Sequence, residues 1–396
     1  MVIIKSKNVL IGEGFEAAAL AFENGKIIEI LPYAAQTMVD YDFQENMIVP
    51  GFIDLHLHGG YGDDCLDYPQ EGFDRLRRNL LLEGTTSFLA TSTSLDRAEL
   101  ISRLVVLGGK IVSQALDFGA NCLGIHLEGP FLNVKFAGAQ NPQSIISPSV
   151  ECFEAFNQAG RNQIKRITLA PEEDEDFSLI RYLHEKGFLV SMGHSGARKI
   201  EAELGEKHGA QLITHMFNGM PQIHHREISL AGYAMLSNDL VCEFIADGIH
   251  VSFEAIDLVR KTKGRGKMIL ITDSNRAKGM PLGDYVLHGR PVVLSEDDSV
   301  RLKETGGLAG SVLKLNNAVK NTVENTRIDL VEALQMASLY PAELLGIDNV
   351  KGRIQKGYDA DIVVLDADYQ VQEAFVGGKC GDVNAIQKEN GCVGKF

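Results

Sequence analysis

Residues 48–60 read IVPGFIDLHLHGG. An apolar run of strand length ends in two histidines, His56 and His58, and then breaks into a glycine pair. In an extended strand, residues i and i+2 face the same side, so the two imidazoles share a face where the strand stops. Runs of the same kind recur downstream: TSFLATS (86–92), CLGIHLEGP (122–130), KRITLAPE (165–172), FLVSMGHS (188–195), LITHMFN (212–218), VCEFIADGIH (241–250) and MILITDS (268–274). With FIDLHLH (52–58) there are eight. Many segments between them suit amphipathic helices, among them EGFDRLRRNLLLEG (71–84), FSLIRYLHEKG (177–187), ARKIEAELGEKHG (197–209) and FEAIDLVRKTKG (253–264). Alternation of buried strand and amphipathic helix builds a parallel sheet covered on both faces. Eight such units predict an α/β fold, a (β/α)8 TIM-like barrel.

The chain ends read differently. VIIKSKNVLI (2–11), AALAFENGKIIEILP (18–32) and DFQENMIVPG (42–51) are short strands with turns, and GRIQKGYDADIVVLDADYQVQEAFVGGK (352–379) resembles them. Each end is too small to bury much of a core alone. The expectation is a discontinuous small β-sandwich domain from residues 1–52 and 350–396, with the barrel over residues 53–349.

Thirty-eight Lys and Arg stand against 53 Asp and Glu, a formal net charge of −15. Such a surface repels nucleic acid and anionic membrane, so neither is expected as a partner, and an anionic substrate needs a local basic site. The six cysteines (65, 122, 152, 242, 380 and 392) include no Cys-x-x-Cys pair, which argues against a structural zinc site. No stretch reads as a signal peptide or a membrane span. The expected class is a reduced, cytoplasmic enzyme or binding protein.

In a barrel of this type the chemistry sits at the C-terminal ends of the strands, and polar residues collect there. Strand one ends in His56 and His58, strand three in His126 and Glu128, strand five in His194, and strand six in His215 and Asn218. Strand seven ends in Asp247 and His250, and strand eight in Asp273. A His-x-His pair alone is equally a pair of core histidines. With Glu128, His194 and His215 the set becomes that of a divalent metal, Zn²⁺ or Fe²⁺, in a hydrolytic site. Glu128 ends an apolar strand, where an unpaired carboxylate is costly. His126 reads as core or as a supporting residue. Asp273 reads as a proton acceptor beside a metal, or as an N-cap of the following helix. His224, His225 and Arg226, after strand six, form a basic trio suited to an anion pocket, or a solvated loop. The acidic run 172–176 reads as a solvated helix start.

Taken in order, PGFIDLHLHGG, HLEGPF, GHS, THMFNGM, ADGIH, TDS and GGLAGS resemble the N-acetylglucosamine-6-phosphate deacetylases of the amidohydrolase superfamily over nearly the whole chain. The resemblance implies that Glu128, His194 and His215 are primary metal ligands. It also implies that Asp273 is the catalytic acid/base and that His250 polarises the substrate carbonyl. Asn218, Gly219 and Arg226, with His225, would hold the sugar phosphate, Arg226 in some members reaching across a homodimer. Gln140 stands where some members have His and would meet a sugar hydroxyl; Leu308 would line the acetyl pocket. The retained His56 and His58 imply a second metal, so one or two per subunit, with Glu128 between them. Two alternatives stay open: a deacetylase of N-acetylgalactosamine 6-phosphate, and a non-catalytic binding protein on the same fold.

Overall fold

The computed structural model describes residues 1–35, 38–115 and 119–393; the last three residues of the expected 350–396 segment lie outside them. All eight expected strands pair in parallel in chain order: Phe52–Leu57, Thr85–Thr91, Asn121–Glu128, Ile164–Leu169, Leu189–Met192, Leu212–Ile213, Val241–Phe244 and Met268–Leu270. The ends of the sheet meet through backbone bonds. The Asp273 amide donates to the His56 carbonyl at 2.8 Å and the His58 amide to the Ser274 carbonyl at 2.8 Å, with a parallel bridge between Leu57 and Ser274. Strand one is buried at every position, as a strand covered by helices on one side and barrel interior on the other must be.

A second eight-stranded sheet joins the two chain ends. Met47–Pro50 runs between Val2–Ile11 and Ile362–Leu365, parallel to the first and antiparallel to the second. Ile4, Leu20, Phe22, Ile48, Ile362 and Phe375 give this sheet its own buried cluster. The chain steps from Pro50 through Gly51 straight into barrel strand one. A Cβ at Gly51 would lie 2.1 Å from Thr86 Oγ1, so only glycine permits the close crossing.

One element was not anticipated from the sequence. Between strand eight and the helix Leu315–Asn325, the strands Gly283–Leu287, Arg290–Leu294 and Val300–Leu302 form an antiparallel sheet. Val292, Leu294, Val300 and Leu302 pack with Ala277 and Ala309 beneath it, and its first turn stands at the barrel mouth. In the acidic run Glu173, Glu175 and Asp176 are exposed as expected, but Glu172 and Asp174 are not. Asp174 is buried and accepts the Ile180 amide at 2.9 Å, and Glu172 accepts the Ser195 hydroxyl at 2.7 Å. These carboxylates tie loops together rather than face solvent. Among the described residues no helix is long and apolar enough to cross a membrane.

Candidate metal centre and active-site pocket

The strand ends converge on one point. Glu128 Oε1 lies 3.2 Å from His194 Nε2, 3.3 Å from His215 Nε2 and 3.3 Å from His56 Nε2, while its Oε2 lies 3.3 Å from His58 Nε2. Asp273 Oδ1 is 3.2 Å from His58 Nε2 and 3.5 Å from His56 Nε2. Two ligand clusters result, Glu128 with His194 and His215, and His56 with His58 and Asp273. Glu128 touches both.

The donor set fits a cation. His194 Nδ1 is 2.9 Å from the Phe136 carbonyl, and His215 Nδ1 is 3.1 Å from the Asn218 carbonyl. A carbonyl accepts only, so each Nδ1 carries the proton and each Nε2 presents a lone pair. Those lone pairs face each other at 3.1 Å, with Glu128 Oε1 beside both. With both rings neutral, two imidazole lone pairs and a carboxylate oxygen converge, an arrangement that a positive ion between them stabilises. His56 Nε2 is buried without a hydrogen-bond partner, a further free donor atom aimed at the same place. Carboxylate and imidazole together suit Zn²⁺ or Fe²⁺.

Backbone conformation contributes. His194, His215 and Asp273 have φ of 47°, 29° and 47°, a left-handed region that costs a non-glycine residue on the order of 1–3 kcal/mol and persists only where surrounding contacts dictate it. Those contacts are visible. The Asn133 amide bonds the His194 carbonyl at 2.9 Å, and Asp273 is held through its amide to His56 and through its carbonyl to the Ser311 amide at 2.8 Å. Burial opposes the charge on Asp273, but His56 and His58 beside it outweigh that and hold its carboxyl down to about 2. The group is therefore an anion at neutral pH.

Beneath the site lies a buried ion pair that the sequence reading passed over. Arg166, inside strand four, is fully buried and bonds Glu243, the Leu55 carbonyl (3.1 Å), Ser191 Oγ (3.2 Å) and Thr214 Oγ1 (3.1 Å). Glu243, inside strand seven, accepts the His215 amide at 3.2 Å and faces His56 Nδ1 at 3.5 Å. Burial works against Glu243 as an anion, yet Arg166 and His56 hold its pKa below the ordinary range. The signal was present: KRITL and VCEF each place a charge within an apolar strand. His126 is a buried ring between Thr91 Oγ1 (3.3 Å) and Thr168 Oγ1 (2.7 Å). Burial, with Arg166 nearby, pushes its pKa well down, so it stays neutral in support.

A cavity of about 390 Å³ opens above these groups. His58, Glu128, His194, His215 and Asp273 form its floor, and Asn218, Gly219, His250, Gln140 and Leu308 line its walls. His56 sits fully buried behind the floor. Asp247 fixes His250: its Oδ1 accepts the amides of Ile249 and His250 at 2.8 Å each, and its Oδ2 meets His250 Nδ1 at 2.6 Å, leaving Nε2 for the cavity. Gln140 differs from the expectation of a residue free for a sugar hydroxyl. Its Nε2 donates to Glu128 Oε2 at 2.6 Å, and its Oε1 accepts the Thr93 hydroxyl at 2.7 Å and the Ser94 amide at 2.6 Å. His225 and Arg226 depart furthest. Both are exposed, Arg226 Nη1 meets His225 Nε2 at 2.8 Å, and neither lines the cavity of its own chain. Paired backbone bonds between His224 and Glu227 close their loop on itself.

Residues 47–387 match the amidohydrolase family, and the chain belongs to it. The chain is 38% identical over 378 residues, 93% of each sequence, to the N-acetylglucosamine-6-phosphate deacetylase of Bacillus subtilis (strain 168). It is 32% identical to the N-acetylgalactosamine-6-phosphate deacetylase of Escherichia coli O157:H7, over 95% of this chain and 98% of that one. Among solved structures, that of a Mycobacterium smegmatis N-acetyl-D-glucosamine-6-phosphate deacetylase in complex with N-acetyl-D-glucosamine-6-phosphate superposes with a TM-score of 0.90. The identity there is 26%, over 96% of this chain and 99% of that one.

Proposed function

We propose that this chain hydrolyses the acetamide of N-acetylglucosamine 6-phosphate to glucosamine 6-phosphate and acetate. The observation that carries the reading is the position of the Asp273 carboxylate on the cavity floor, 3.2 Å from His58 and next to the Glu128, His194, His215 cluster. Glu128, His194 and His215 hold the primary metal, and His56 and His58 with Asp273 offer a second position. A divalent metal held there supplies Lewis-acid polarisation and makes water more acidic. Asp273 takes a proton from the attacking water at its carboxylate oxygen. It then returns that proton to the amine nitrogen, so that the amine leaves neutral as the C–N bond breaks. His250, oriented through Nδ1 by Asp247, polarises the acetamide oxygen from Nε2.

Asn218 and the Gly219 backbone bind the sugar phosphate, and Leu308 bounds the acetyl group. Arg226 and His225, exposed and away from their own cavity, serve the phosphate bound in the partner subunit of a homodimer. Residues 53–349 form the catalytic domain, residues 1–52 with 350–396 the small one, and the enzyme works in the cytoplasm. The test is acetate release from a panel of N-acetylated amino sugars, phosphorylated and not, by protein of known metal content. Turnover of the 6-phosphates alone supports the reading, and faster turnover of the galactosamine epimer transfers it to that sugar. No acetate from any of them overturns it.

A further inference from the structure

One side chain of the inserted sheet, Arg290, bonds a segment that touches the metal-ligand side chains. Arg290 opens the second strand of that sheet, after the turn His288-Gly289, and among the described residues is the one arginine lining the cavity. Its Nη1 donates to two consecutive carbonyls, Ala139 and Gln140, at 3.0 Å each. Its Nη2 stands 3.5 Å from Glu304, whose side chain is 79% exposed. A pair so exposed adds little, so the two carbonyls are the substantive contacts.

Those carbonyls belong to residues 133–141, which cross the cavity after strand three. The segment touches two metal-ligand side chains. Phe136 offers the carbonyl facing His194 Nδ1, and Gln140 donates its amide to Glu128 Oε2. The amide oxygen of Gln140 is occupied by Thr93 and Ser94, so Gln140 cannot rotate without breaking three bonds. The segment has no regular sheet pairing of its own, only the short turn Val134–Phe136, and the turn Pro142–Ser144 follows it. The inserted sheet has a further hold at the barrel rim, where His288 Nε2 lies 3.2 Å from Asp64 Oδ2.

We propose that Arg290 is a positioning residue of the metal centre: it clips segment 133–141 to the inserted sheet and so holds Gln140 against Glu128 and the Phe136 carbonyl against His194. Gln140 is then an outer partner of a ligand carboxylate rather than a sugar contact. The proposal rests on the reading that Glu128 and His194 bind the metal. Outer partners of this kind govern metal affinity as well as turnover.

The test titrates Zn²⁺ into metal-free protein against a competing chelator and measures acetate release from the Zn²⁺-loaded protein. Arg290→Ala weakens Zn²⁺ binding roughly tenfold to a hundredfold and lowers kcat, with KM within about threefold of wild type. Arg290→Lys recovers part of the affinity, because an ammonium still reaches a carbonyl but lacks the planar fork. Gln140→Ala behaves like Arg290→Ala, and the double variant is no worse than the weaker single one, since both break the same chain of contacts. Glu304→Ala is unchanged. Should Arg290→Ala fail to fold, Arg290→Gln carries the same measurements. Wild-type Zn²⁺ affinity in the Arg290 variants overturns the proposal. So does a KM rise at unchanged kcat, which makes Arg290 a substrate contact. Arg290-dependent Zn²⁺ binding without acetate release leaves the proposal standing and removes the deacetylase reading instead.

Discussion

Replacing Arg166 by methionine removes the guanidinium that faces Glu243 from within the barrel. Both side chains are fully buried. Glu243 keeps the His215 amide at 3.2 Å and His56 Nδ1 at 3.5 Å, which are too few partners for a desolvated carboxylate. Breaking a buried pair from one side costs about 3–5 kcal/mol. Ser191 and Thr214 lose less, because their hydroxyls already bond each other at 2.5 Å. Arg166→Met should therefore destabilise the metal-free protein by about 3–5 kcal/mol, read as a lower urea midpoint at unchanged slope. Arg166→Met combined with Glu243→Gln should recover much of that, because the uncompensated charge is gone. The metal should bind less tightly in the single variant, since Glu243 is what Arg166 holds against His56 and the His215 amide. A single variant within about 1 kcal/mol of wild type would refute the argument. A double variant less stable than the single one would show that shape, not charge, dominates there.

Asp273→Asn should keep most of the metal and lose deacetylation by a factor of about 10³ or more, the scale of a lost general base; near wild-type turnover in metal-loaded protein removes the proton shuttle. His56→Ala with His58→Ala should lower the metal content while the Glu128, His194, His215 position stays filled, and unchanged stoichiometry assigns both histidines to structure. Arg226→Ala should cut kcat/KM for the phosphorylated sugar tenfold to a hundredfold, roughly 1.5–3 kcal/mol for a charge-assisted pair. Mixing it with Asp273→Asn subunits should restore activity in hybrids; an equal loss on unphosphorylated sugar removes Arg226 from the phosphate. Burial raises the Asp64 pKa, but His288 and Arg276 outweigh it and bring the carboxyl down to about 2 from 3.8. A depressed folded pKa stabilises above the unfolded value and fades as pH falls through the folded one. Asp64→Asn should thus be less stable than wild type by roughly 2 kcal/mol at neutral pH, with the gap closing between about pH 4 and pH 2; a gap constant across that range in urea titrations counts against the His288 pairing.

Much of this molecule is dictated by local pattern. Burial on both faces makes each barrel strand an apolar run, and a short apolar run flanked by amphipathic helices has few other uses, so the eight strands were legible one by one. The period of two put His56 and His58 on one face, and the rule that barrel chemistry lies at strand ends gathered Glu128, His194, His215, His250 and Asp273 to one rim. Tertiary structure decided the rest, because it depends on contacts between residues far apart in the chain. Arg166 and Glu243 are separated by 77 positions, and neither shows in sequence which way it points or what neutralises it. His and Asp tolerate the left-handed backbone seen at His194, His215 and Asp273 better than most residues do, but distant hydrogen bonds decide that it forms there. Arg290 finds the carbonyls of Ala139 and Gln140 about 150 positions away, and the amide of Gln140 turns to Glu128 because Thr93 and Ser94 hold its other end. Arg226, an apt phosphate ligand by chemistry, lies outside the cavity of its own chain because its loop folds back on itself. Composition and period determine which elements form and which face is apolar; only closure of the barrel and docking of the inserted sheet determine which polar groups meet.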